Sequence, residues 1–148
     1  MNAQLMGRLR RSLLQTSGLS DSDYEVLVQL SEAPDHRLRS YQLVAALQWE
    51  KSRLSHHLRR MEARGLVERE GCDTDRRGAF VVLTPAGRKS IEEAAPDHVD
   101  EVRRAFIDAL TPAQLDALAG ITEAVVTRLD ELAALESTSS PPNSDRSE

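Results

Sequence analysis

The 148-residue sequence has one cysteine, few aromatic side chains and no long apolar run. The single cysteine, Cys72, cannot form a disulfide within the chain, so the fold must be held by side-chain packing. No stretch approaches the roughly 18 consecutive apolar residues that span a bilayer. Residues 1–15 carry three arginines and lack the apolar core of a secretory signal. We therefore expect a soluble, cytoplasmic protein with no membrane partner.

The sequence also lacks the common motifs of catalysis and metal binding. It contains no Gly-x-Ser-x-Gly elbow, no glycine-rich phosphate loop and no pair of carboxylates flanked by a histidine. His56 and His57 are adjacent, so on a helix their side chains diverge by about 100° and cannot bind one metal from the same face. We expect no enzymatic activity, no cofactor and no metal site. Cys72 is interpreted as an incidental thiol, with an oxidation sensor as the alternative.

The formal net charge of −5 is distributed unevenly along the chain. Residues 37–89 contain twelve Lys and Arg against six Asp and Glu, a net charge of +6, whereas residues 90–148 carry −9 and residues 1–36 carry −2. Because DNA is a polyanion, only the basic segment is suited to contact it. This asymmetry predicts a DNA-facing middle region attached to a part that faces elsewhere.

Apolar residues recur at helical spacing through most of the chain. The predicted helices span residues 4–14, 20–33, 40–47, 51–64, 85–110 and 112–136. Strands over residues 66–71 and 79–83 form a predicted β-hairpin with a charged tip at 72–78. The expected helix caps are Ser20, Ser40, Thr84 and Thr111. We expect Pro96 to kink or interrupt the fifth helix, and residues 137–148 to form a disordered tail because they have nothing apolar to bury.

The fourth predicted helix has an apolar side and a cationic side. An advance of about 100° per residue gathers Leu54, Leu58 and Met61 into a narrow wedge that faces the core. The opposite side carries Ser52, His56, Arg59 and Arg60, with Arg53 on its flank. A polar, cationic helix face is either solvated or a DNA-contacting surface.

The order of three helices, a strand, a charged loop and a strand is typical of a winged helix-turn-helix, whose second motif helix enters the major groove. Arg76 and Arg77, beside a glycine at the hairpin tip, suit a wing that reaches into a narrow minor groove. These patterns predict a mainly α fold with a small β-hairpin (α+β) that binds double-stranded DNA. A winged-helix protein-interaction module without DNA binding is the alternative.

Several segments together resemble the MarR family of bacterial winged helix-turn-helix regulators. The matching segments are Leu19-Ser20, Tyr24-Glu25-Val26-Leu27, residues 52–62, Gly65-Leu66-Val67, residues 73–78 and Leu83-Thr84-Pro85-Ala86-Gly87. The resemblance is clear from about residue 19 to residue 87 and continues to about residue 135 through helix pattern alone.

The resemblance implies a homodimer in which the terminal helices of both subunits intertwine. Residues 1–18 and 89–136 would be dimerisation helices and residues 19–88 the DNA-binding module; the apolar stripes of the terminal helices favour the same assembly. It also implies that Arg77 contacts the minor groove while Asp75 pairs with an arginine to shape the wing. The residues expected to contact DNA are Ser40, Gln42, Ser52, Arg53, Ser55, His56, Arg59, Arg60, Arg76 and Arg77. The fourth predicted helix, residues 51–64, would be the recognition helix that enters the major groove. Glu50, just before it, departs from this cationic pattern.

MarR-like proteins commonly bind small aromatic or phenolic effectors, which implies a ligand-responsive repressor acting on a palindromic operator. Tyr24 either lines such an effector crevice or belongs to the core. We expect Trp49 and His57 to be packing residues. Three N-terminal arginines either touch phosphates or form a solvated helix face: Arg8, Arg10 and Arg11.

Overall fold

The computed structural model describes residues 2–71 and 79–139, with side chains described for residues 3–71 and 79–135. The helices are α1 (Asn2–Ser17), α2 (Asp21–Glu32), α3 (Ser40–Leu47), α4 (Lys51–Ala63), α5 (Pro85–Ala105) and α6 (Pro112–Ser139). The strands are β1 (Arg37–Arg39), β2 (Val67–Glu70) and β3 (Phe80–Leu83). The chain divides into two compact units, Met1–Ala105 and Phe106–Glu148. The mainly helical α+β prediction is confirmed.

The sheet has three strands where the sequence predicted a hairpin of two. Both predicted strands are present, and they pair antiparallel with Val67 opposite Leu83. The additional strand β1 pairs antiparallel with β3, so the order is β1-β3-β2. A three-residue strand is too short to give a clear periodic signal, and it takes its hydrogen bonds from a partner more than forty residues away. The winged hairpin is therefore widened by a strand from the segment between α2 and α3.

The core of the first unit lies between α2, α3, α4 and the sheet. Leu27, Leu43 and Met61 are fully buried there, and Leu54 and Leu58 of α4 are almost so. The apolar wedge predicted for the recognition helix is thus confirmed. Because this side of α4 is buried, the opposite side is fixed facing outward.

Polar caps set the helix boundaries, and one predicted cap is wrong. The Ser20 side chain accepts a hydrogen bond from the Asp23 amide at 3.1 Å, and the Asp23 carboxylate accepts one from the Ser20 amide at 2.9 Å, a capping box. The Thr84 hydroxyl accepts a hydrogen bond from the Gly87 amide at 3.0 Å. The Thr111 hydroxyl accepts one from the Gln114 amide at 3.3 Å. These three predicted caps are confirmed.

At α3 the cap position belongs to Arg39, and Ser40 is already helical. The Ser40 hydroxyl instead donates to the Ala79 carbonyl at 3.2 Å, which ties α3 to the start of β3. Gln42 reaches back so that its side-chain oxygen accepts the Arg39 amide at 2.8 Å. The serine was predicted as the cap because its residue type suits that position, but the long-range contact with Ala79 determines its placement.

Helix α5 runs through Pro96 without interruption, so of the two predicted effects of this proline, a kink or a break, the break is wrong. It is held on both sides of the proline: Ala94 is buried before it, and Glu101 beyond it accepts a hydrogen bond from Arg8 of α1 at 2.6 Å. The helix ends at Ala105, five residues earlier than predicted, because Phe106 leaves the helical region with φ −131° and ψ −59°. Packing against α1 therefore outweighs the missing proline amide.

The start of α5 lies unusually close to the base of the sheet. A Cβ atom on Gly87 would collide with the carbonyl of Leu66 and approach the Leu83 side chain within 2.9 Å. Gly65, which ends α4, has a φ of +70°, the left-handed conformation expected from its position. Two glycines thus allow the tight passage from α4 into β2 and the seating of α5 on it.

The second unit contains a short 3-10 turn at Ile107–Ala109 and the long helix α6. Helix α6 extends to Ser139, so the predicted start of the tail at residue 137 is wrong by three residues, and residues 140–148 lie outside the described part. One side of α6 carries exposed large apolar residues: Leu118, Ile121, Val125, Leu129 and Leu132. Within the described ranges no helix has both the length and the apolarity needed to cross a membrane.

Candidate nucleic-acid interface

The outward side of α4 presents a compact polar face. Ser52, His56 and Arg59 are exposed, and at about 100° per residue they fall within roughly 60° of one another around the helix. Ser55 lies at the edge of this face and is half-buried; its carbonyl accepts a hydrogen bond from Arg69 at 3.3 Å. We define Ser52, His56 and Arg59 as the recognition face. Its side chains project from a helix whose other side is fixed in the core.

Arg53 is exposed but lies on the flank of α4, roughly 90° around the helix from the centre of the recognition face. Its guanidinium carbon lies 4.0 Å from the centre of the Trp49 ring. Trp49 is only 7% exposed, which confirms it as a packing residue. Glu50 occupies the cap position of α4 without a capping hydrogen bond from its side chain. Arg53 is therefore directed by an aromatic stack as well as by its place on the helix.

His57 belongs to α4 and is buried on its inward side, as predicted for a structural residue. An arginine can only donate hydrogen bonds, so Nδ1 of His57 accepts from Arg60 at 2.9 Å and the ring proton lies on Nε2. Nε2 lies 3.1 Å from a carboxylate oxygen of Asp23, although the two are not aligned as a good hydrogen bond. Burial lowers the pKa of His57, and the attraction of Asp23 does not offset this. His57 is thus held neutral.

Asp23 joins α2 to the end of α4 and was not identified as a site residue from the sequence. It is buried, and its carboxylate accepts a hydrogen bond from Arg64 at 2.7 Å. Arg64 also donates to the Gly18 carbonyl at 3.1 Å. Burial alone would raise the pKa of Asp23, but the hydrogen bonds from Arg64 and Ser20 outweigh it, so the pKa is lowered. The only sequence signal was the capping-box spacing of Ser20 and Asp23.

The additional strand brings two more arginines to the wing. The guanidinium carbons of Arg37 and Arg39 lie 4.8 Å and 3.9 Å from the centre of the Phe80 ring, and Arg37 also approaches Glu70 at 3.6 Å. The alternation Arg37-Leu38-Arg39 is compatible with a strand, but three residues are too few to predict one. These cations lie on β1, at the edge of the sheet beside β3.

Other predicted site residues have different outcomes. Arg76, Arg77, Asp75 and Cys72 lie outside the described residues. Ser40 and Gln42 make the contacts at the start of α3 given above. Arg60 is exposed, and its guanidinium donates a hydrogen bond to Nδ1 of His57. Two of the three N-terminal arginines form ion pairs at 2.6 Å: Arg8 with the buried Glu101 and Arg10 with the part-exposed Asp21.

Tyr24 is half-buried, and both interpretations of it retain support. Its ring packs against the core and lies 4.6 Å from the ring of His98, centre to centre. It also borders an open groove of about 450 Å³ between α2 and α3, together with Val28 and Leu47. Among the described residues, no cluster of side chains is suited to hold a metal ion.

Comparison with known proteins matches this architecture. The sequence model of the MarR family matches residues 17–78. The crystal structure of AbsC, a MarR family transcriptional regulator from Streptomyces coelicolor, is 44% identical, with 88% of this chain and 87% of AbsC covered at a TM-score of 0.79. Sco3205, a MarR family transcriptional regulator from the same organism solved in complex with DNA, is 40% identical, with 86% and 83% covered at a TM-score of 0.78.

A curated relative supports the same assignment. The transcriptional repressor MprA of Escherichia coli K12 is 26% identical over 123 residues, which cover 83% of this chain and 69% of MprA. High identity to AbsC across most of both chains, on a fold whose cationic helix faces outward, shows that this chain belongs to the MarR family of transcriptional regulators.

Proposed function

We propose that this protein is a sequence-specific transcription regulator that binds a palindromic DNA operator as a homodimer, with α4 in the major groove. The observation that carries the proposal is the recognition face, Ser52, His56 and Arg59, exposed on a helix whose other side is fixed by Leu54 and Leu58. A rigid helix with short polar side chains and an arginine suits the reading of base edges. The relative Sco3205 was crystallised with DNA.

Electrostatics favour the same docking. The recognition face belongs to residues 37–89, which carry a net charge of +6. Arg37 and Arg39 of β1, which lie over the Phe80 ring of β3, belong to the same segment. Lys and Arg contacts to phosphates supply the affinity that is independent of sequence, whereas side chains at base edges supply the preference. We propose Arg76 and Arg77 as the wing-tip contacts to the minor groove, on their composition and position between β2 and β3. These features favour DNA binding over a protein-interaction module.

The exposed stripe of α6 supports a homodimer. At about 100° per residue, Leu118, Ile121, Val125, Leu129 and Leu132 lie within roughly 80° of one another. Full burial of each such side chain contributes about 1.5–3 kcal/mol, so a partner that covers the stripe is strongly favoured. Two-fold symmetry then places the two recognition helices on half-sites about 10 base pairs apart. We assign residues 19–88 to DNA binding and the flanking helices to dimerisation.

The groove beside Tyr24 supports a role for a small aromatic or phenolic effector. It lies between α2 and α3, so a ligand there would contact the two helices that position α4. A change in their packing would move the recognition face and alter DNA affinity, as expected of a ligand-responsive repressor. We propose that the protein acts in the cytoplasm and has no catalytic activity of its own.

Footprinting on the DNA that flanks the protein's own gene tests the proposed function. We expect one protected palindrome, and a titration should show tighter binding to it than to a duplex of the same composition in scrambled order. Arg59→Ala should weaken binding to the palindrome, because a good arginine contact to guanine discriminates by roughly 1–3 kcal/mol.

A matched substitution controls for the loss of charge. Arg128 is an exposed arginine on α6 that pairs with Glu131 at 3.0 Å, far along the chain from the recognition face. Arg128→Ala, compared at a protein concentration at which sedimentation shows it to be dimeric, should leave DNA binding unchanged. Equal affinity of the wild-type protein for the palindrome and the scrambled duplex would refute the proposed function.

A further inference from the structure

We propose that Trp49 is a positioning residue that holds Arg53 on the flank of α4, where Arg53 contacts a DNA phosphate rather than a base edge. This inference deepens the proposed function and rests on it. It assigns a role to the single tryptophan of the chain. It also separates Arg53 from the recognition face, although the two share one helix.

The Trp49 ring is held in place by its burial and by contact with the ring of His57. It is 7% exposed and meets the ring of His57 edge-on, with ring centres 5.4 Å apart and an interplanar angle of 88°. His57 is in turn held by Arg60 at 2.9 Å and lies 3.1 Å from Asp23. The Trp49 amide also donates to the Val44 carbonyl at 3.2 Å. The outer face of the indole is therefore a preformed platform.

Arg53 covers that outer face. Its guanidinium carbon lies 4.0 Å from the ring centre, well within the distance of about 6 Å at which a cation is attracted to an aromatic face. Stacking occupies the flat face of a guanidinium and leaves its N–H edge able to donate to phosphate oxygens. Trp49 thus reduces the freedom of a long side chain without using the donors that DNA would need.

The position of Arg53 around the helix favours a phosphate as its partner. A helix about 10–12 Å across fills a major groove about 12 Å wide, so its outermost face meets base edges while its flanks face the two phosphate backbones. Arg53 lies roughly 90° from the centre of the recognition face and about 60° from its nearest member, His56. It also borders a cavity of about 500 Å³ whose lining includes Arg10 and Arg11 opposite Asp21 and Glu25. With Arg53 counted, this lining keeps a small net positive charge.

Fluorescence of the free protein tests the stack without DNA. Because Trp49 is the only tryptophan, all indole emission comes from it. Arg53→Ala removes the cation from the ring and should change the intensity or wavelength of emission. Arg59→Ala, on the same helix but away from the ring, should leave emission unchanged. Emission from Arg53→Ala that equals wild-type emission would overturn the stack.

Titrations at several salt concentrations test the phosphate contact. Each lost phosphate contact flattens the dependence of log affinity on log salt by about 0.9, so Arg53→Ala should flatten it by about 1.8 in a dimer. Relative affinities for operators with single base changes should not alter. Relaxed preference at one symmetric pair of positions, with the salt slope unchanged, would show that Arg53 reads bases and would overturn the proposal.

Variants of Trp49 test its positioning role. Trp49→Phe keeps an aromatic face and should retain most of the wild-type affinity, whereas Trp49→Leu should weaken binding. In an Arg53→Ala background, Trp49→Leu should cause no further loss, because its effect acts through Arg53. Equal losses in both backgrounds would overturn the positioning role. If Trp49→Leu fails to fold, the comparison uses Trp49→Phe and the emission of Arg53→Ala.

Failure of the proposed function is distinguishable from failure of this inference. A wild-type protein that binds no duplex overturns both DNA binding and the phosphate contact. An operator that binds normally, together with unchanged emission in Arg53→Ala, overturns only the role of Trp49.

Discussion

Substitution of Asp23 by asparagine should destabilise the DNA-binding unit far more than the same change two residues earlier. The Asp23 carboxylate is 3% exposed and accepts hydrogen bonds from Arg64 at 2.7 Å and from the Ser20 amide at 2.9 Å. Asparagine has the same shape but lacks the charge, and its NH₂ group would face a donor on one side. Arg64 and the Ser20 amide both donate to Oδ2, so an amide oxygen there keeps two neutral hydrogen bonds but loses the ionic attraction to Arg64. The NH₂ group would replace Oδ1 and face Nε2 of His57, which carries a proton.

The magnitude follows from the burial of the two partners. Removing one partner of a fully buried ion pair costs about 3–5 kcal/mol. The Arg64 side chain is 44% exposed, so water can solvate its charge after the substitution and the cost is lower. The remaining amide oxygen can still accept hydrogen bonds from the Ser20 amide and from Arg64. We therefore expect Asp23→Asn to lower the free energy of unfolding by about 2–3 kcal/mol per chain.

Asp21 provides a matched control in the same helical turn. It pairs with Arg10 at 2.6 Å, but the two side chains are 32% and 67% exposed. Exposed ion pairs contribute about 0–1 kcal/mol, so Asp21→Asn should have a small effect. Both carboxylates lie in the first turn of α2, so each loses a similar interaction with the helix dipole.

Urea denaturation at pH 7, followed by circular dichroism, measures the difference. All variants must be compared at one protein concentration, because the stability of a dimer depends on concentration. A midpoint for Asp23→Asn that is no lower than the midpoint for Asp21→Asn would refute the reasoning that burial makes this carboxylate important.

Three further predictions concern acid stability, the wing and the second unit. The pKa of His57 is lowered by burial, so stability should be full above the unfolded value of about 6.5 and fall as pH drops below it; unfolding at pH 7 and 5.5 should show a smaller decrease in His57→Gln. Arg77→Ala should weaken operator binding at two salt concentrations without changing base preference, and unaltered affinity would exclude a wing contact. Leu129→Glu should yield monomers in sedimentation, whereas Glu123→Lys, on the opposite side of α6, should not.

The sequence predicted the parts of the fold that depend on local pattern. The apolar wedge of α4 and the caps at Ser20 and Thr84 follow from side chains a few residues apart, and the structure has them as expected. The break at Pro96 was wrong because the opposing contacts come from α1, which is remote in sequence. Local propensity is a weak guide where tertiary packing acts against it.

In the candidate site, too, some features could be predicted from local sequence pattern and others could not. The exposure of Ser52, His56 and Arg59 could be predicted because helical periodicity fixes which side faces out. The direction of Arg53 could not, since it depends on the Trp49 ring, whose own position depends on His57. Contacts of this kind are set only once separate segments have packed together.

Helix α5 is long enough to connect two distant parts of the first unit. At about 1.5 Å per residue its 21 residues extend roughly 30 Å. One end is seated against Leu66 through Gly87, where no larger side chain fits, and the other is tied to α1 through Glu101. Because Pro96 does not interrupt the helix, a tilt of about 5° at one end displaces the other by roughly 2.6 Å over such a length. That displacement is close to the length of a hydrogen bond, so α5 couples the packing at α1 to the base of the sheet at Leu66.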